Sequence, residues 1–303
     1  MSSGPVLVLD TASLYYRSFH ALPDSMQAPD GRPHQAIRGL LTMLNSFYST
    51  FAPSAIVACW DEDWRPQWRV DLLPSYKTHR VLDTTADGVF LEDEPDTLSP
   101  QIDALADLFD ASSVSRIGVA DYEADDVAAT LAANIEGPVI VISGDRDLVQ
   151  VVNDQGQVQL FLAVNGGMPK WPLLNEQGVL ERYGVRPDAY VDFAILRGDP
   201  SDGIPGVPGI GEKTAAALIT SFGNLEGVIT AASNNPGKPM TPRLAGLIQE
   251  HAAVLNSSLI AATAVRDIPI NAEEILHTKN RDAQQLNTLA QEWGVERFIP
   301  EWF

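Results

Sequence analysis

The sequence holds a single cysteine, Cys59, in 303 residues. That excludes a disulfide framework and a cysteine-rich zinc site, and it suits a reducing compartment. No apolar run approaches the roughly 18 residues of a membrane-spanning helix. The start, Met1-Ser2-Ser3-Gly4-Pro5, lacks the basic region of a secretory signal, so the expected location is the cytosol with no membrane partner. Positive charge is scarce: 20 Lys and Arg face 40 Asp and Glu, a formal net charge of −20 with a pI near 4.4. Taken alone, that balance argues against a nucleic-acid binder, because phosphate contacts require basic surface. Residues 81–115 contain no base at all and nine acids, with a cluster at Glu92-Asp93-Glu94-Pro95-Asp96. They read as a solvated, partly mobile loop followed by a helix over 100–109.

What is present is the composition of a globular protein, 45% hydrophobic and 20% charged, long enough for one large domain or two modest ones. Three continuous apolar runs stand out: Pro5-Val6-Leu7-Val8-Leu9, Ala55-Ile56-Val57-Ala58-Cys59-Trp60 and Val139-Ile140-Val141-Ile142-Ser143-Gly144. Runs without alternation are expected of strands covered by helices on both faces. Between them, 35–51 has helical period through Ile37, Leu40, Leu41, Leu44 and Tyr48, and 123–134 has it through Val127, Leu131 and Ile135. The pattern predicts an α/β fold with a central, mostly parallel sheet flanked by helices. Beyond about residue 164, Gly and Pro punctuate short helical pieces, and 265–270 is the one clear β-like run of the last third.

Each apolar run ends in an aspartate: Asp10, Asp61 and Asp145. In an open parallel sheet, ligands bind outside the carboxyl ends of the strands. One such Asp is an ordinary helix cap, but three shift the balance. Asp147 adds a fourth, and Glu123-Ala124-Asp125-Asp126 opens a helix with three more. There the i,i+3 spacing aims Glu123 and Asp126 at one spot and turns Asp125 away by roughly 100°. In isolation the tetrad is acid suited to a helix first turn. Carboxylates converging on one crevice repel unless protonated or bridged, and hard oxygen ligands select Mg²⁺ or Mn²⁺. Two such ions roughly 4 Å apart clamp the attacking and leaving oxygens of a phosphodiester in many nucleases. A haloacid-dehalogenase-type phosphatase also carries an Asp after its first strand, but it needs a second Asp two positions on. Here Thr11 and Ala12 follow Asp10.

The run from Gly198-Asp199 through Ser201-Asp202-Gly203, Gly206 and Gly209-Ile210-Gly211 to Glu212-Lys213 precedes a helix over 212–222 that stops at Gly223. Its glycines let backbone approach a ligand and leave amides free at a helix start, suited to a phosphate with Lys213 nearby. This is the helix–hairpin–helix way of holding a nucleic-acid backbone. A plain Gly/Pro turn is the alternative. Asp199 and Asp202 lie just upstream to join the acid cluster.

Six ordered motifs then carry a resemblance over nearly the whole chain. They are Leu9-Asp10 with Tyr16-Arg17 and His20-Ala21; Trp60-Asp61; Arg69 with Pro74-Ser75-Tyr76-Lys77-Thr78-His79-Arg80; Glu123-Ala124-Asp125-Asp126; Ser143-Gly144-Asp145-Arg146-Asp147; and Gly198-Asp199 through Lys213. The sequence resembles the 5′–3′ exonuclease and flap-endonuclease superfamily, in the bacterial form found free-standing or at the N-terminus of DNA polymerase I. The resemblance implies a metal-dependent α/β nuclease domain over 1–168, then a helix–three-turn–helix DNA-binding module and C-terminal helical region over 169–303. It implies two or three Mg²⁺ or Mn²⁺ ions held by Asp10, Asp61, Glu123, Asp125, Asp126, Asp145, Asp147, Asp199 and Asp202, with Asp61 acting partly through water. It casts Arg17, Lys77 and Arg80 on the scissile phosphate, Tyr76 under a terminal base, and Arg69, Gly206, Gly209, Gly211 and Lys213 on DNA, with K⁺ held by hairpin carbonyls. The implied protein is a monomeric enzyme of replication and repair. It removes 5′ flaps, RNA primers and 5′-terminal nucleotides, alongside a separate DNA polymerase and ligase. A duplex-binding module without catalysis is the alternative from another class, and the intact acid set argues against it.

The family's segment after Arg80 forms a basic helical arch for a 5′ single strand, and 81–115 departs from that pattern. Nine acids belong to the proposed metal site and nine to 81–115; without them, 22 acids face 20 bases. The net charge therefore no longer argues against nucleic acid.

Overall fold

The computed structural model describes residues 4–86, 88–234, 237–277 and 279–303. In chain order, β1 (Val6–Asp10) leads to α1 (Thr11–Ala21) and α2 (Gln35–Phe51), and β2 (Ala55–Cys59) leads to α3 (Gln67–Leu72). A hairpin of β3 (Val81–Thr84) and β4 (Phe90–Glu92) precedes α4 (Ser99–Ala111), β5 (Ser115–Ile117) and α5 (Ala124–Asn134). β6 (Val139–Ser143), β7 (Val158–Leu162) and β8 (Leu173–Leu174) follow. The rest is helical: α6 (Glu176–Tyr183), α7 (Tyr190–Arg197), α8 (Glu212–Phe222), α9 (Leu225–Ser233), α10 (Pro242–Ala262), α11 (Ala272–Leu276) and α12 (Ala283–Trp293).

The main sheet has the order β5-β2-β1-β6-β7-β8 and is parallel except where β8 pairs with β7. Its apolar runs are continuous because both faces are covered. Val6 and Val8 of β1 point into a core shared with α5, α7, α8, α9 and α10, while Leu7 and Leu9 point into one shared with α1, α2, α4 and α12. Full burial of each such side chain contributes about 1.5–3 kcal/mol. The first of these cores runs without a break from the sheet into the C-terminal helices, so the helical part is fixed against the sheet. The sheet itself continues past residue 168 through β8.

Three sequence expectations are corrected. Residues 265–270 form no strand; the Val265 amide donates to Asp126 Oδ1 at 2.8 Å and its carbonyl accepts from Thr130 Oγ1 at 3.1 Å, and the Ile270 amide turns back onto the Ile268 carbonyl at 2.7 Å. Tyr48 is 40% exposed and stacks on Trp302, and Phe47 takes the buried position of α2. The acidic loop contains an ordered hairpin, with Val81 opposite Glu92, Asp83 opposite Leu91 and Thr84 opposite Phe90. Asp87 of that segment lies outside the described residues.

Candidate active site

Strand order sets the site. β2 and β6 flank β1 on opposite sides, so the chain reverses direction across the sheet at β1 and the loops diverge there, leaving a crevice. Asp10 closes β1 and caps α1, its Oδ1 accepting from the Ser13 amide at 3.2 Å. Its Oδ2 accepts from the Ser143 hydroxyl at the end of β6. Asp61 lies just past β2, and its Oδ1 takes the Ala124 amide at the start of α5 at 2.7 Å. Asp145 follows β6, its amide donating to Ser143 Oγ at 2.7 Å and its Oδ1 accepting from the Asp147 amide at 2.8 Å. With Asp125 of α5, these acids line a crevice of about 520 Å³ that also holds Arg17, Lys77 and Arg80. Beside it lies a recess of about 20 Å³ lined by Glu123, Asp125, Asp147 and Asp202.

Asp202 arrives from the helical part, on the loop between α7 and α8. The Lys77 amide donates to the Asp202 carbonyl at 3.1 Å, and Ser75 Oγ donates to the Gly203 carbonyl at 2.7 Å. Gly203 has φ +71°, and a Cβ there would lie 2.0 Å from the Ser75 carbonyl oxygen. Only glycine permits this docking, so a turn residue places a carboxylate in a site built by another part of the chain.

The electrostatics mark these acids out. Burial raises the Asp61 carboxyl to about 6, against the pull of Lys77 and the Ala124 amide. Burial and the charge of Asp202 raise Asp145 to about 6. Asp125 is raised well above the carboxylate range by burial and then by Asp10 and Asp145, and Asp147 by burial and then by Asp145 and Asp202. Such a set gains by binding protons or cations. Asp202 Oδ1 is buried with no hydrogen-bond partner, and its cation neighbour, Arg80 Nη2, stands off at 3.8 Å; a hard cation would satisfy such an oxygen. Among the described residues no three Asp, Glu, His or Cys side chains close into a compact ligand set.

Other expected ligands are committed elsewhere. Asp126 is fully buried; Arg69 grips both its oxygens at 2.7 and 2.9 Å, and the amides of Glu123 and Val265 add two more bonds. Glu123, the extended N-cap (φ −84°, ψ 163°), and Asp126 do meet at one spot as the i,i+3 spacing predicts, but that spot is the Arg69 guanidinium and not a metal-binding crevice. Asp125 faces the crevice and Asp126 faces away. Asp199 is likewise held, by Arg197 at 2.9 Å and by the amide and hydroxyl of Ser201. Glu123 touches the crevice but accepts from Lys77 Nζ and, at 2.9 Å, from the Tyr76 hydroxyl, with Arg69 at 3.3 Å.

Two expected DNA contacts are corrected on the same ground. Arg69 and Tyr76 are each 3% exposed, so neither offers a surface to a phosphate or base. They tie α3 to α5 and to the end of α10, where Arg69 Nε meets the Ala261 carbonyl at 2.8 Å. Arg17 lines the crevice anchored on the Ala163 carbonyl at 3.1 Å and on that of Val164, and Arg80 reaches the Ser201 carbonyl at 3.1 Å. In the helical part, Gly206, Gly209 and Gly211 lie on the loop before α8, and Lys213 is exposed in its first turn. Gly209 has φ +85° with no atom within 4 Å of the Cβ position, so its turn is open to a ligand. α8 and α9 meet at 84°. Among the described residues no single helix is long and apolar enough to cross a membrane.

Sequence reasoning missed Ser143 and Ser13. Ser143 joins Asp10 to the Asp145 backbone, and Ser13 Oγ takes the Gly144 amide at 2.9 Å while donating to the Asp10 carbonyl at 3.1 Å. The signal for Ser143 was its place inside the Ser143-Gly144-Asp145 motif; Ser13 had none.

Fold and crevice together define a two-part class: an α/β domain with an acid-lined sheet edge, continued by a helical hairpin module. Comparison with known proteins gives the family. The model of the 5′-3′ exonuclease N-terminal resolvase-like domain matches residues 5–184, and that of the 5′-3′ exonuclease C-terminal SAM fold matches 185–284. The chain is 45% identical over 290 residues to a 5′-3′ exonuclease of Streptomyces coelicolor, covering 95% of this chain and 96% of that one. It is 41% identical over 308 residues to a 5′-3′ exonuclease of Mycobacterium tuberculosis, covering 97% and 95%. The chain belongs to the 5′-3′ exonuclease family. Among solved structures, the T5 D15 protein co-crystallised with metal ions shares the fold at TM-score 0.66 and 19% identity, covering 98% of this chain and all of that one.

Proposed function

We propose that this protein is a divalent-metal-dependent, structure-specific 5′ nuclease, a 5′–3′ exonuclease and flap endonuclease that hydrolyses DNA phosphodiesters in replication and repair. The observation that carries the reading is the set of carboxyls gathered along the crevice and recess, among them Asp202, whose buried Oδ1 has no hydrogen-bond partner and, among the described residues, only Arg80, at 3.8 Å, for countercharge. Family membership agrees with it. Asp10, Asp61, Asp125 and Asp145 are the proposed metal-binding residues of the crevice, and Asp147 and Asp202 those of the recess. The ions, Mg²⁺ or Mn²⁺, would supply Lewis acidity and neutralise charge developing at phosphorus.

The chain's own residues do the rest. Ser143 and Ser13 hold Asp10 in place, and Glu123 holds Lys77 at the crevice wall. Arg17, Lys77 and Arg80 offer positive charge to the scissile phosphate. The open turn at Gly209, the backbone of Gly211, and Lys213 grip a duplex backbone without reading sequence, while Gly206, expected there too, is buried against Gly198 and shapes the loop. K⁺ at that turn, action beside a separate polymerase and ligase, and a monomeric state are part of the same proposal.

The test is a nicked or flapped duplex labelled at its 5′ side, incubated with Mg²⁺, with Mn²⁺ and with chelator. Metal-dependent release of short 5′ products is expected. Binding to the duplex with no product in either metal would instead establish a non-catalytic module.

A further inference from the structure

Trp64 and Arg65, between β2 and α3, hold Lys77 at both ends. The Lys77 ammonium, paired with Glu123, also donates to the Trp64 carbonyl at 3.5 Å. Arg65 takes the backbone. Its Nε donates at 2.6 Å to the Tyr76 carbonyl, in the peptide that leads into Lys77, and its Nη2 donates to the Pro74 carbonyl at 3.2 Å and to the Thr78 hydroxyl at 3.1 Å. One planar fork thus grips oxygens on either side of Lys77 in the chain. Lys77 itself has φ +47°, in the left-handed region, where a residue with a side chain is strained and persists only if its surroundings impose it.

Arg65 is 6% exposed, and it meets two carbonyls and a hydroxyl but, among the described residues, no carboxylate. Burying a cation without a counter-ion costs stability, which points to a task beyond holding the fold together. The centre of the Phe90 ring of β4 lies 4.1 Å from the guanidinium, and Trp64 Nε1 donates to the Phe90 carbonyl at 3.2 Å, so the β3–β4 hairpin backs this grip. Trp64 and Lys77 line the crevice, and Arg65 does not. It reaches the chemistry only through the segment it holds.

We propose that Arg65, backed by Phe90 of the hairpin, is a positioning residue: it fixes the left-handed turn at Lys77 and so sets where the Lys77 ammonium meets the scissile phosphate. The inference rests on the nuclease reading above and on the part given there to Lys77.

The experiment is a double-mutant cycle on the single-turnover rate of cleavage of a 5′-flapped duplex at saturating Mg²⁺. Arg65→Met keeps the apolar stem and removes the fork; it should slow cleavage about 10- to 100-fold, the scale of a misplaced catalytic group, while duplex affinity holds. Arg65→Lys keeps the charge without the fork and should be nearly as slow. With Lys77→Met already in place, Arg65→Met should cost no further activity, although its effect on the melting temperature persists. Phe90→Leu should show the same dependence on Lys77 at smaller size, and it carries the cycle if Arg65→Met fails to fold. An equal fold-loss in both backgrounds would overturn the proposal, since Arg65 would then act apart from Lys77. So would full activity of whichever variant carries the cycle, rescue by Arg65→Lys, or an undiminished Lys77→Met enzyme. No cleavage by the unaltered protein would instead remove the nuclease reading, and this inference with it.

Discussion

Two groups of carboxylates lie around the crevice and are treated in opposite ways. Glu123, Asp126 and Asp199 each meet a cation: Lys77 and Arg69, Arg69 again, and Arg197. Asp61, Asp125, Asp145 and Asp147 have no ion pair among the described residues and feel the charges of neighbouring acids, Asp10 and Asp202 among them, and burial holds their protons more tightly than water would. The partnered acids are buried and the others half-buried at the crevice, and the fold supplies the countercharge to the first group and leaves it to a ligand in the second. A compensated acid near a crevice is architecture, and an uncompensated one marks the working surface.

The sharpest way to break that division is to exchange the two kinds of loss. Asp145→Ala should lower the cleavage rate by about 10³-fold, while duplex binding persists and the melting temperature holds or rises because a destabilised acid has gone. Asp126→Asn should do the reverse. It leaves Arg69 buried without its bidentate partner, at a cost of about 3–5 kcal/mol, read as a markedly lower urea midpoint. A stable Asp126→Asn protein that has lost metal binding would place Asp126 in the working set and undo the comparison. Between the extremes lies Ser143→Ala, which removes the hydroxyl joining Asp10 to the Asp145 backbone. The Mg²⁺ concentration for half-maximal activity should rise about 10- to 100-fold, with the rate at saturating Mg²⁺ much less affected. A purely structural role would move the melting temperature and leave the Mg²⁺ dependence alone.

Much of this site could be read from the chain because the relevant rules are local. An apolar run that ends in Asp is a covered strand with an acid at its carboxyl end, and Asp10, Asp61 and Asp145 follow that rule. The division between partnered and unpartnered acids could not be read, because it depends on side chains distant in sequence. Arg69 is 57 residues from Asp126, and Val265, which donates the other bond to Asp126, is 139 residues away. The tetrad shows how fine the distinction is. The helical period sets Asp125 apart from Glu123 and Asp126, but which side meets a cation was decided by Arg69, and no helical period contains that information. The hairpin was hidden for a different reason: its strands are three and four residues long and acid-flanked, and at that length alternation carries no signal.

The smallest expected effect tests the comparison through protons. Asp61 and Asp145 ionise near 6 in the folded chain and near 4 when unfolded. The folded state then holds more protons than the unfolded state between those values, so stability from this source is complete below about 4 and is lost as pH rises through about 6. Metal-free protein should therefore melt several degrees lower at pH 7.5 than at pH 5.5, on the scale of a few kcal/mol spread over a chain of this size. Mg²⁺ binds the ionised carboxylates and competes with protons, so its stabilising effect should be larger at pH 7.5 than at pH 5.5. Asp145→Asn should flatten both trends, while Lys213→Ala, far from the acids, should leave them intact. A Mg²⁺ effect that is equal at the two pH values would mean that the crevice acids are already ionised and paired. The contrast between the two groups would then be one of position alone.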